Sequence, residues 1–160
     1  MIDNRVLGEL KFEIDSCYVS AELALGQKYP ESLVNALLLE ACFLHFRVVW
    51  DFFYGTRQAE TDVLLRDFLP GKIPKALRPK KPPRLQEIRT SLDETLAHLT
   101  TKRIGPGFKA GRITFTDLQL MQQHIEELFT ALTKCVSVEQ RTFLVNPLAG
   151  KFSEYNTLKA

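Results

Sequence analysis

Arg47 and Asp51 stand four residues apart, with Glu40 seven residues before Arg47, and the run His98-Leu99-Thr100-Thr101-Lys102-Arg103 sets a histidine beside two cations. A histidine titrating near neutrality moves protons, while arginine and lysine hold phosphate oxygens, so these types suit chemistry on a phosphate or on RNA. At about 100° per residue, Glu40, Arg47 and Asp51 fall within about 40° of one another on a helix and form one narrow polar seam. Two readings of that seam stand side by side. One is a solvent stripe in which Arg47 and Asp51 pair for roughly 0.2–0.5 kcal/mol. The other is a charged cluster facing a cleft, because burying an arginine with two carboxylates otherwise costs more than it returns. His98 also has two readings. It falls off the apolar stripe of its helix near Glu87, Glu94 and Lys102, as an ordinary solvated face would have it, and Lys102 and Arg103 suit the negative end of the helix dipole. The candidate catalytic set is thus Arg47, Asp51, His98 and Arg103.

The other two histidines point to packing. His45 lies about 160° from Arg47 on the same wheel and is expected not to share its site. His124 flanks an apolar stripe with Glu127 three residues on. No two histidines lie at i, i+4 and no Cys/His set has zinc spacing, so neither a metal nor a cofactor is expected. The segment Gly105 to Gly111 lacks the Lys-Ser/Thr ending of a phosphate loop, and no Gly-x-Ser-x-Gly turn is present. Cys17, Cys42 and Cys135 are odd in number and far apart, which reads as small buried side chains in a reducing cytoplasm. Acids at Glu9, Glu13 and Asp15 argue against a signal peptide. Glu40, Arg47 and Asp51 interrupt the richest apolar stretch, so no membrane association is expected.

Net charge conceals a polarity along the chain. The total is +2 over 160 residues, yet positions 70 to 86 hold Lys72, Lys75, Arg78, Lys80, Lys81 and Arg84 with no acid. Positions 102 to 112 add Lys102, Arg103, Lys109 and Arg112, which leaves a net −8 on the rest. Five prolines stiffen the first basic segment. It is either a solvated linker or, with the second segment, an arm for RNA or an acidic protein partner.

Helices must position these residues. Apolar residues spaced by three and four predict a helix over 6–25 stopped by Gly26, a second over 30–54 ended by Gly55, and a third over 85–103. A short helix is expected over 62–69, capped by Thr61. Thr116-x-x-Gln119 and Ser137-x-x-Gln140 have the form of capping boxes opening a long helix and a brief one. The second helix is apolar on nearly every bearing, the mark of a central or interface helix. With 45% hydrophobic and 25% charged residues, the chain reads as all-α: a four-long-helix up-down bundle with two short accessory helices over residues 1–149, and a loose tail over 150–160.

With His45-Phe46-Arg47-Val48-Val49-Trp50-Asp51-Phe52-Phe53-Tyr54 in one helix and His98 to Arg103 closing another, the chain resembles a group of small uncharacterised bacterial helical proteins. More distantly it resembles the HEPN superfamily. That resemblance implies a HEPN-like bundle that dimerises and binds RNA, a nucleotide or a protein. Its enzymatic alternative is a metal-independent endoribonuclease of toxin or antiphage type using His98 with Arg47 or Arg103. Active HEPN members carry an arginine followed a few residues later by a histidine. Here eight residues separate Arg89 from His98, and His98 precedes Arg103, so that motif is absent.

Overall fold

The computed structural model describes residues 4–26, 33–56, 59–60, 62–67, 79–95 and 113–144. In chain order these form α1 (Asn4–Leu25), α2 (Leu33–Tyr54), a 3-10 turn (Leu65–Asp67), α3 (Pro83–Thr95), α4 (Phe115–Cys135) and α5 (Val138–Leu144). The architecture is all-helical, with four long helices and short accessory ones, and no strand occurs among the described residues. The expected tail at 150–160 lies outside them.

One core joins the helices. Leu7, Leu10, Ile14, Cys17 and Ala21 of α1 meet Cys42, Phe46, Val49, Trp50 and Phe53 of α2, and the core continues through Leu85, Ile88 and Leu92 of α3 and Met121, Ile125, Leu128 and Leu132 of α4. The three-and-four spacing of these positions turns one face of each helix inward. Cys17 meets Cys42 and Glu13 meets His45, so α1 and α2 run antiparallel. Further along, Gln122 reaches the carbonyl of Tyr18 and Gln140 reaches Asn4, tying α4 and α5 back onto α1.

Helix ends follow local chemistry with two corrections. Gly26 and Gly55 close α1 and α2, their N–H groups donating to the carbonyls of Glu22 and Asp51. A Cβ at Gly55 would strike the carbonyl of Asp51, so only glycine ends α2 this tightly. Ser137 and Gln140 form the expected reciprocal cap. The cap of α4, however, is Thr114 with Asp117, two residues before the expected Thr116 box. Asp117 accepts from the Thr114 amide and is also gripped by Arg84, a tertiary bond that the Thr116–Gln119 alternative lacks. The short helix expected over 62–69 is only the 3-10 turn within the described residues. There the Asp62 and Asp67 side chains accept from the amides of Ala59 and Leu64, and the second of these bonds opens the 3-10 turn.

Candidate functional site

The outward side of α2 is the floor of an open cleft of about 1410 Å³. Leu44, Val48 and Asp51 lie along the floor. Arg5, Glu9 and Glu13 of α1 form one wall; Asp62 to Leu64 and, from α3, Gln86 and Arg89 form the other. His45 and Arg47 both line this cleft, one toward each wall. Their opposed bearings therefore do not keep them out of one cleft, which is wide enough to take in both edges of the helix.

The pairing of Asp51 differs from the local one. Arg47 Nε lies 4.0 Å from Asp51, at the limit of an ion pair, whereas Arg89 on α3 donates three hydrogen bonds of 2.7–3.1 Å to the two Asp51 oxygens. A guanidinium fork matches a carboxylate better than a single distant contact. Arg89 is 9% exposed and was not among the sequence candidates. The only trace of it in the sequence is a basic position one residue from Ile88 on α3. On the opposite edge, His45 Nδ1 and Glu13 Oε2 are 2.7 Å apart, and the Phe12 ring stands edge-on to the His45 ring at 5.7 Å.

At the C-terminal end of α2 the polar groups are built into the core. Tyr54 donates to the Pro79 carbonyl at 2.7 Å, and its oxygen lies 3.1 Å from His124 Nε2. His124 Nδ1 is 3.1 Å from Glu127. A neutral imidazole brings one N–H to two acceptors here, so protonation would complete the network. Burial opposes that and, outweighing the raising effect of Glu127, pushes His124 below its ordinary pKa. Lys81 Nζ caps the Trp50 and Tyr54 rings at 5.7 and 5.1 Å.

The structure thus brings Arg47 and Asp51 into one cleft. His98 and Arg103 lie outside the described residues, as do the proposed binding residues Lys72, Lys75, Arg78, Lys102, Lys109 and Arg112. Of the remaining basic-arm positions, Lys80 is exposed, Lys81 packs on the aromatic pair, and Arg84 is held by Asp117 and Glu87. Arg84 foremost, and then Thr114, holds the Asp117 carboxyl well below the usual carboxylate range. Structural pairing therefore occupies two of the three described members of that arm.

The cleft walls carry Arg5, Arg47, Lys81 and Arg89 against Glu9, Glu13, Asp51 and Asp62, so its fixed charges cancel. Among the described residues no group of three or more His, Cys, Asp or Glu side chains is placed to hold a metal ion. No described helix is long and apolar enough to cross a membrane. What the cleft offers is an apolar floor with balanced charges at its edges. Compared with family models, curated proteins and solved structures, the chain finds no match in any of the three.

Proposed function

We propose that the chain is a non-enzymatic interaction module, a HEPN-like up-down helical bundle that works in the cytoplasm and self-associates through the outer face of α2. One observation carries this reading. Val34, Leu37, Leu44 and Val48 form an apolar row that is 44–58% exposed. A contiguous apolar row on one helix face, continued by the apolar floor of the cleft, is the kind of surface that marks a protein–protein contact. The cancelling charges of the cleft favour a protein surface over a polyanion, which is attracted by net positive field. Antiparallel contact of α1 with α2, and the return of the chain along α1, support the up-down alternation. RNA or an acidic protein partner belongs, in this reading, to the two basic segments.

Sedimentation equilibrium tests it. On this reading the wild-type chain should sediment as a dimer and Leu44→Glu as a monomer with an unchanged circular dichroism spectrum. A wild-type monomer at up to about 100 μM removes the reading.

The second reading is the metal-independent endoribonuclease, with His98 as general acid or base and Arg47 or Arg103 on the phosphate. Arg47 favours it, because its side chain is 33% exposed at the rim of the cleft. RNA cleavage that disappears in His98→Ala, with the fold intact, would establish this reading in place of the first.

A further inference from the structure

We infer that self-association of this chain is regulated by proton uptake at the pair formed by His45 and Glu13, which a second copy seated on the α2 face covers, so that the dimer tightens as the pH falls. The inference rests on the interaction-module reading and adds the regulation of its contact surface.

Position comes first. His45 follows Leu44 in the chain and stands four residues after Ala41 and three before Val48. Residues at those spacings are neighbours on a helix surface, so the His45 ring borders the apolar row where Leu44 and Val48 enter the cleft. Nδ1 of the ring lies 2.7 Å from Glu13 Oε2 of α1, and Phe12, itself 50% exposed, meets the ring edge-on. The side chains of His45 and Glu13 are 25% and 21% exposed, and both line the cleft. They belong neither to the core nor to open water. A partner that covers Leu44 and Val48 takes the remaining water from both.

Charge gives the sign. While His45 is neutral, Glu13 is a net negative charge bound by a single N–H, and covering such a charge is costly. With His45 protonated, the two form a neutral pair whose attraction grows as water leaves. Covering therefore favours the protonated pair, and by reciprocity protonation favours the covered state.

The surrounding groups leave that sign to His45. From α1, Glu9 stands one turn before Glu13, and Arg5 one turn earlier balances it. Cys17, one turn after Glu13, is a buried thiol whose pKa is raised by its bond to Cys42 and by burial, so it carries no charge here. At the other edge of the floor Asp51 is gripped by Arg89, with Arg47 4.0 Å away, and Asp62 accepts from the Ala59 amide. Lys81 sits on the Trp50 and Tyr54 rings at the end of α2. Histidine is the one residue type in this set whose charge changes between about pH 8 and 6. The formal charge of the chain, +2 with neutral histidines, only rises on acidification, so general repulsion would loosen the dimer. Tightening has the opposite sign and singles out the pair.

The test is sedimentation equilibrium of the full chain at pH 8, 7 and 6 and constant ionic strength. The dissociation constant of the wild type should fall about three- to tenfold from pH 8 to 6. His45→Gln keeps an N–H for Glu13 but cannot titrate, and Glu13→Gln removes the charge that the proton neutralises. Each should change less than about twofold over the same range. Circular dichroism at each pH certifies the fold, and either variant suffices if the other fails it. A wild-type dimer whose affinity is constant or weakens toward pH 6, or a folded variant that keeps the wild-type trend, overturns the regulation and leaves the self-association reading standing. A wild-type monomer at all three pH values, at up to about 100 μM, overturns both.

Discussion

Arg89 on α3 grips Asp51 on α2 through three hydrogen bonds of 2.7–3.1 Å, across 38 positions of sequence. This clamp fixes α3 to the last turns of α2 and so sets one wall of the cleft. It also changes the standing of Asp51, whose oxygens are taken up by a nearly buried guanidinium.

Removing the clamp has a structural cost. Arg89→Ala should lower unfolding stability by about 2–3 kcal/mol in urea titrations, because charge-assisted bonds are lost beside a half-buried carboxylate. Arg89→Lys should recover only part of that, since a lysine lacks the planar fork. Full recovery by lysine would contradict the bidentate account.

The start of α4 makes a second prediction. Thr114→Ala should cost about 1 kcal/mol, as loss of an N-cap does, whereas Thr116→Ala should stay within about 0.5 kcal/mol. Asp117 adds a dependence on pH. Its folded pKa is depressed by Arg84 and Thr114, so its stabilisation is in place above the unfolded value near 4 and is lost as the pH falls below it. Thermal midpoints of Asp117→Asn should therefore fall less steeply than those of the wild type between pH 5 and about 3.

His124 acts at higher pH. Burial depresses its folded pKa, so protonation favours the unfolded chain. Its contribution is fully present above the unfolded value of about 6.5 and declines as the pH falls below that. Wild-type stability should drop between pH 7 and 5 by a component that His124→Gln removes. An identical pH profile in the variant would count against the network with Tyr54 and Glu127.

Cys17 and Cys42 should be inert. Cys17 and Cys42 are buried free thiols with sulfurs 4.0 Å apart, and their mutual hydrogen bond, then burial, raises the Cys17 pKa well above its usual value. Residue-resolved mass spectrometry should find both protected from a thiol reagent in the native state and modified within minutes after unfolding. Rapid native labelling of either would show that the contact between α1 and α2 opens readily.

Much of the fold is legible in local pattern. Of the stripe that spacing predicts for α3, Leu85, Ile88, Leu92, Leu96 and Leu99, the first three are buried and the last two lie outside the described residues; of the stripe predicted for α4, Leu118, Met121, Ile125, Leu128, Leu132 and Val136 are buried and Phe129 is partly buried. Gly26 and Gly55 end the first two helices as expected. The cap of α4 is Thr114 and not the expected Thr116, although both have an acceptor-bearing side chain three residues on. Arg84, more than thirty positions earlier, decides between them by holding Asp117. The buried ion pair of Lys11 and Asp15 is likewise invisible to periodicity, since an i, i+4 pair reads as surface until a neighbouring helix covers it.

The sequence by itself determined that the chain is helical, that α2 is apolar around most of its circumference, and that Glu40, Arg47 and Asp51 share one edge of it. Those are properties of spacing, and 3.6 residues per turn fixes them whatever lies nearby. Only the tertiary structure decided which arc of α2 stays uncovered, that Asp51 belongs to Arg89 more than to Arg47, and that His45 and Arg47 border one cleft. Each of these depends on where α1 and α3 pack. Hydrophobic burial across the whole core sets that packing, and no single segment encodes it.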